Sequence, residues 1–199
     1  LSTVQKYGGK DIYDLLLKER YMTHEFLSSL SGKRILEEIQ EKLCYVADNL
    51  QAEDERPYRV DNEYKLPDGT YFSLYRERYS CPEVLFDPKI NCKDSDGIPK
   101  TIWDTIMKID IDYRHKMASN IVIAGGPSKM PGFRDRVKND LIEIAPPTYN
   151  FDVIEPEFKH AVWVGGSIIA QFDAFPLMVV SKEEYNECGP GIIHRKCIY

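Results

Sequence analysis

The residues with the clearest chemical meaning are Gly125 and Gly126, which close a short apolar run at residues 121–124. Glycines at the end of a buried strand let the backbone approach a phosphate or a ribose closely, and their N–H groups can donate to anionic oxygens. A tight turn uses the same pair, and the spacing alone does not separate the two uses. Other reactive side chains are scattered. His24, His115, His160 and His194 have neither metal-ligand spacing nor a nearby nucleophile. The acid pairs Asp94/Asp96 and Asp110/Asp112 read as loop and helix-start residues. Cys44, Cys81, Cys92, Cys188 and Cys197 are odd in number, widely spaced and without a C-x-x-C, so they read as free thiols of a reducing compartment. No glycoside-hydrolase, protease or P-loop pattern is present, and no catalytic or metal-ligating residue is assigned.

The elements that would position the glycine pair follow from periodicity. A helix is expected from about Asp11, with Ile12, Leu15 and Leu16 on one face. A better one covers residues 33–48, where Ile35, Ile39, Leu43 and Val46 recur at three- and four-residue intervals. Residues 51–59 are polar and read as a loop. Strand-like runs at residues 62–66 and 71–75 flank Pro67-Asp68-Gly69-Thr70, which predicts a β-hairpin. A long loop at residues 87–97 precedes Pro99, which suits the first turn of a helix carrying Ile102, Trp103 and Ile106 inward. Helices at residues 113–118 and 133–144, a strand at 121–124 and another at 151–154 follow. An apolar helix spans residues 161–170, and Ser181 with Glu184 makes a capping box for the last substantial helix. Interleaved helices and strands give an α/β class with mixed rather than doubly wound connections.

Composition bounds the rest. The chain has 199 residues, 43% hydrophobic and 29% charged, enough to bury a sizeable core in one or two domains. Its formal charge of -6 argues against a nucleic-acid-binding surface, which needs clustered Lys and Arg. No apolar run approaches the roughly 18 residues of a membrane helix, and the amino terminus does not read as a signal peptide. The expectation is no nucleic-acid and no membrane partner.

Three segments near the carboxy terminus, NIVIAGGPSKMPGFRDR (residues 120–136), EFKHAVWVGGSIIA (157–170) and SKEEYNECGPGIIHRKC (181–197), occur in an order that resembles the carboxy-terminal half of actin. IQEKLCYVA (39–47) and YRERYSCPEVLFDP (75–88) extend the resemblance upstream to about Gly8. The likeness implies half of the fold shared by actin, chaperone ATPases and sugar kinases, with a mixed sheet and flanking helices. It divides the chain into a small-lobe insertion (8–78), a large sheet domain with the glycine loop (79–158), and a helical tail (159–199) that packs on an amino-terminal domain.

The same resemblance implies an ATP/ADP site with magnesium, the metal and the hydrolytic residues lying in the other half. Gln40, Glu41, Gly125, Gly126, Pro127, Met130 and Lys159 match positions around the adenosine end. The Glu41 carboxylate would accept from the ribose hydroxyls and the Lys159 stem would cover the base. Conventional actin has lysine at Gln40, threonine at Pro127 and tyrosine at Met130. These departures remove a charge, an N–H donor and a rigid ring from the pocket. Hydrolysis is not expected of this chain alone. The implied partners are other actin-like subunits, and actin-binding proteins at a groove that includes Ile169, Phe172 and Met178. In the chain's own terms, the stretch formed by Ile169, Phe172, Phe175 and Met178 reads as core, with at least half of these residues buried. The loop at residues 89–94 carries two lysines and an aspartate where an apolar plug is expected, so it reads as a solvated surface loop. A cytoplasmic filament subunit and a non-polymerising scaffold subunit of a larger complex are the two functional readings.

Overall fold

The computed structural model describes residues 2–19, 30–56, 63–158 and 160–197. In chain order the helices are α1 (Gly9–Glu19), α2 (Leu30–Leu43), α3 (Leu50–Asp54), α4 (Glu77–Ser80), α5 (Ile98–Met107), α6 (Ile111–Ala118), α7 (Phe133–Ile144), α8 (Ala161–Ala170), α9 (Phe175–Met178), α10 (Lys182–Cys188) and α11 (Ile192–Lys196). The strands are β1 (Glu63–Lys65), β2 (Tyr71–Ser73), β3 (Ile121–Val122) and β4 (Val153–Ile154).

α1 and α2 bring their apolar stripes together. Ile12 and Leu16 from α1 meet Leu36 and Ile39 from α2 in a core that continues through Leu74, Val84, Leu85, Val137, Leu141 and Val153. That core runs without a break across the residue 78/79 boundary. The carboxy-terminal end of α2 comes earlier than periodicity predicts, at Leu43 rather than Asp48. Long-range bonds stop it. The Arg78 guanidinium donates to the Leu43 carbonyl at 2.8 Å, satisfying an end carbonyl that has no partner inside the helix. The Cys44 N–H still donates to the Gln40 carbonyl, but the two after it donate elsewhere, Tyr45 to the Arg78 carbonyl at 3.1 Å and Val46 to the Pro131 carbonyl at 2.8 Å.

The Val46–Pro131 contact needs Gly132. This residue has φ +83°, and a Cβ there would lie 2.2 Å from the Val46 carbonyl oxygen. Only glycine satisfies both conditions. α7 then starts at Phe133, with Phe133, Val137 and Leu141 buried on one face.

β1 and β2 pair antiparallel with Lys65 opposite Tyr71, as the hairpin signal predicts. Asp68 closes the turn by accepting from the Thr70 N–H at 2.9 Å. Asn62, expected in the first strand, lies outside the described residues. The polar stretch after α2 is not all loop, because Asn49 accepts from Ala52 N–H and caps α3, and Tyr45 donates to Glu53 at 2.7 Å. Residues 57–59 of that expected loop lie outside the described residues.

β3, α7 and β4 make a parallel crossover unit in which Ile121 faces Val153 and Val122 faces Ile154. α5 carries Ile106 into the core, with Ile102 and Trp103 half-buried against it. All five cysteines are free thiols. Among the described residues no single helix is long and apolar enough to cross a membrane.

Candidate functional site

In open parallel sheets, ligands settle outside the carboxyl ends of the strands, where loops diverge. β3 ends there, and the chain passes through Gly125 at φ +111° into the single turn Pro127–Lys129. The buried Ser128 hydroxyl ties that turn down by donating to the Gly125 carbonyl at 2.9 Å. Facing it is the side of α2 that bears Gln40 and Glu41. Between the two lies a cleft of about 520 Å³, within the usual size of a small-molecule site.

Gln40, Glu41, Gly126, Pro127 and Met130 all line this cleft. Gly125 directly precedes the lining loop, and Lys159 lies outside the described residues. Met130 is buried, Gln40 half-buried and Glu41 exposed. The cleft also has a wall that sequence reasoning missed. Gly9, Lys10 and Tyr13 from α1, Lys33 and Glu37 from α2, and Lys129 complete it. Part of this was accessible from spacing, since Lys33, Glu37 and Glu41 follow one another at four-residue intervals on one helix face. The α1 contribution was not, because it depends on Gly9 packing against Pro127, 118 positions along the chain. A Cβ at Gly9 would come within 3.0 Å of the Pro127 ring.

The cleft mixes apolar packing surface with charge of both signs. Lys129 is already engaged, with an ion pair to Glu155 at 3.0 Å and a bond to the Pro156 carbonyl. This fixes the turn to the segment after β4. Burial, with the negative charges of Asp14 and Glu37, raises the Tyr13 phenol above its usual range. It therefore stays protonated. Among the described residues, no group of three acidic, histidine or cysteine side chains is placed to hold a metal ion.

The loop at residues 89–94 is the surface loop expected, with Lys89, Ile90, Cys92 and Asp94 exposed, but it is also tied down to α1. Pro88–Asn91 forms a short 3-10 turn capped by Asp87, and Cys92 follows with left-handed φ +55°. The buried Asp11 of α1 receives the loop. Its carboxylate pairs with the Lys93 ammonium at 2.5 Å and accepts from the Asn91 amide at 3.1 Å. Lys93 also donates to the Lys6 carbonyl at 2.7 Å. Burial works to raise the Asp11 carboxyl, but Lys93, the Gly8 N–H and Asn91 together outweigh it and hold it below the usual carboxylate range. α1 thus lines the cleft with Lys10 and clasps the loop with the adjacent residue.

The tail corrects a further expectation. Ile169, Phe172 and Met178 are exposed and Phe175 is half-buried, so none of the four is core. α8 and α9 bury no residue at all. The reason is geometric: no described element packs over them.

The sequence model of the actin family matches residues 5–198. Actin-29 of Dictyostelium discoideum is 32% identical over 200 residues, an alignment covering 96% of this chain and 51% of that protein. The chain belongs to the actin family, and its mixture of helices and small sheets fits an actin-like fold. It spans about half the length of that relative.

Proposed function

We propose that this chain forms one wall of an adenine-nucleotide cleft in an actin-type subunit. The observation that carries the reading is the convergence of Gln40 and Glu41 on α2 with Gly126, Pro127 and Met130 in a single cleft. Met130 and Pro127 offer apolar surface to a purine, and Glu41 offers a carboxylate to ribose hydroxyls. ATP or ADP with magnesium is the proposed ligand, the metal serving to neutralise phosphate charge; phosphate and metal contacts would come from the remainder of the subunit. The subunit would act in the cytoplasmic cytoskeleton. Its tail face, with Ile169, Phe172 and Met178, would take a neighbouring subunit or an amphipathic helix of a binding protein.

The test is a titration of the 199-residue chain with adenosine and ADP at millimolar concentration, followed by thermal denaturation. A ligand that binds only the folded state raises the Tm. Glu41→Ala should weaken adenosine binding about tenfold. No shift of the wild-type Tm with either ligand would sink the reading.

One observation favours a second reading, a scaffold subunit that does not polymerise. Asn91 and Lys93 of the loop at residues 89–94 are tied to its own α1 through Asp11, which restrains the loop from reaching toward a neighbour. In the full-length subunit, Asn91→Leu with Lys93→Met should release it and lower the critical concentration for assembly. A change of about 1.4 kcal/mol per subunit would appear as roughly tenfold. Equal assembly of wild type and variant would remove the support for a scaffold.

A further inference from the structure

The least explained group at the cleft is the hydroxyl of Tyr13. It is shut off from water and makes no hydrogen bond among the described residues. Buried hydroxyls are nearly always partnered, because leaving one unpaired forfeits its hydration with no return. The Tyr13 ring packs against the core, a task phenylalanine would perform equally well. Packing therefore accounts for the ring and not for the oxygen.

We infer that the Tyr13 hydroxyl is a ligand-reading donor of the cleft, held for an acceptor nitrogen on a purine ring. The inference rests on the nucleotide reading above and assigns the base end of the site. Tyr13 is half-buried and lines the cleft beside Glu37. Glu37 sits one turn before Glu41 on α2, about 6 Å along the helix axis. If Glu41 takes the ribose, the neighbourhood of Glu37 and Tyr13 is where the base falls. The phenol remains a donor there, since its surroundings disfavour the phenolate. Ring nitrogens of a purine are acceptors, and Met130 and Pro127 across the cleft supply apolar surface for its face. Reaching the ligand requires the ring to turn toward the opening, and a hydroxyl with no partner loses no hydrogen bond by turning.

The experiment measures binding of adenosine and of its 1-, 3- and 7-deaza analogues, each lacking one ring acceptor, to wild type and to Tyr13→Phe. Tyr13→Phe should weaken adenosine about tenfold while raising the Tm of the ligand-free protein, since an orphaned polar atom has been removed. One deaza analogue should bind wild type about tenfold more weakly than adenosine does, and lose nothing further in Tyr13→Phe. Unchanged adenosine affinity in a folded Tyr13→Phe overturns the inference while leaving the nucleotide reading intact. If that variant does not fold, the analogue series on wild type decides, and equal affinity for all four nucleosides overturns it. Failure of wild type to bind adenosine at all removes the nucleotide reading and this inference with it.

Discussion

The body of the molecule and its tail put apolar side chains to opposite use. Among the described residues between Ile12 and Val153 the main aliphatic stripes find partners, and Leu16, Leu36, Ile39, Val137 and Leu141 are almost fully enclosed. The helix AVWVGGSIIA that opens the tail buries nothing, leaving Trp163 74% exposed. α9 does the same, with Leu177 78% exposed. Periodicity explains the contrast. A stripe at three- and four-residue spacing lets a helix bury one side and wet the other, as α2 does. α8 is apolar all round, a pattern for a helix enclosed on several sides. Apolar composition therefore states how much cover a helix needs and says nothing about which residues provide it.

If the body is held by its own contacts, breaking its buried charges should have the largest effect. Arg136 donates to Glu83 at 2.7 and 3.1 Å, to Asp140 at 2.8 Å and to the Ala47 carbonyl at 2.7 Å. It joins α7 to the segments after α2 and α4. Arg136→Met keeps most of the volume but strands the Glu83 carboxylate, whose side chain is only 7% exposed. The expected loss is about 3–5 kcal/mol, the usual result of removing one partner from a buried pair, read from the chemical denaturation midpoint. A loss below 1 kcal/mol would mean that the body tolerates charge disruption as a surface does.

Within the body, two carboxylates should respond to pH in opposite directions, with smaller effects than the loss of Arg136. Burial raises the Glu83 carboxyl despite the pull of Arg136. A carboxyl raised in the folded state stabilises fully below its ordinary value, and that contribution is lost as pH rises through the folded value. The Asp11 carboxyl, buried too but held down by Lys93, Gly8 and Asn91, is lowered. Its contribution is present above the ordinary carboxylate value and lost as pH falls through the folded one. Glu83→Gln should therefore gain on wild type as pH rises through the carboxylate range, and Asp11→Asn should lose. Parallel trends would show that the loop clasp at residues 89–94 is not an electrostatic one.

Much of the body was legible from local chemistry. The hairpin announced itself through Pro67-Asp68-Gly69-Thr70, α7 has the predicted bounds, and the capping box of Ser181 and Glu184 is present at α10. What escaped depends on residues far apart in sequence. The end of α2 is set by Arg78 and Pro131, which no window around Leu43 contains. α3 is polar and has no stripe, so its signal was the single cap Asn49. Two-residue strands such as β4 carry too little pattern to bound. At the cleft, α2 and the glycine loop came from motif order, whereas Tyr13 and Lys10 required the approach of Gly9 to Pro127. The tail misread has the same origin, since burial of at least half of Ile169, Phe172, Phe175 and Met178 was read from apolarity when it depends on a neighbour.

The smallest effect on stability should fall on a large side chain left mostly in water, and it gives the sharpest test of the contrast. Trp163 would rank among the most damaging substitutions if it lay in the body, where Trp→Ala costs about 3–5 kcal/mol. In the tail it contacts water over most of its surface, so Trp163→Ala should change the unfolding free energy by less than about 0.5 kcal/mol. The same substitution should act strongly on association. Val162, Trp163, Leu177 and Met178 all stand exposed, and exposed apolar surface drives self-association when nothing covers it. Sedimentation of the 199-residue chain should show concentration-dependent association that Trp163→Ala reduces. A loss of stability above 2 kcal/mol would instead place the tryptophan in a core that the tail forms with the body.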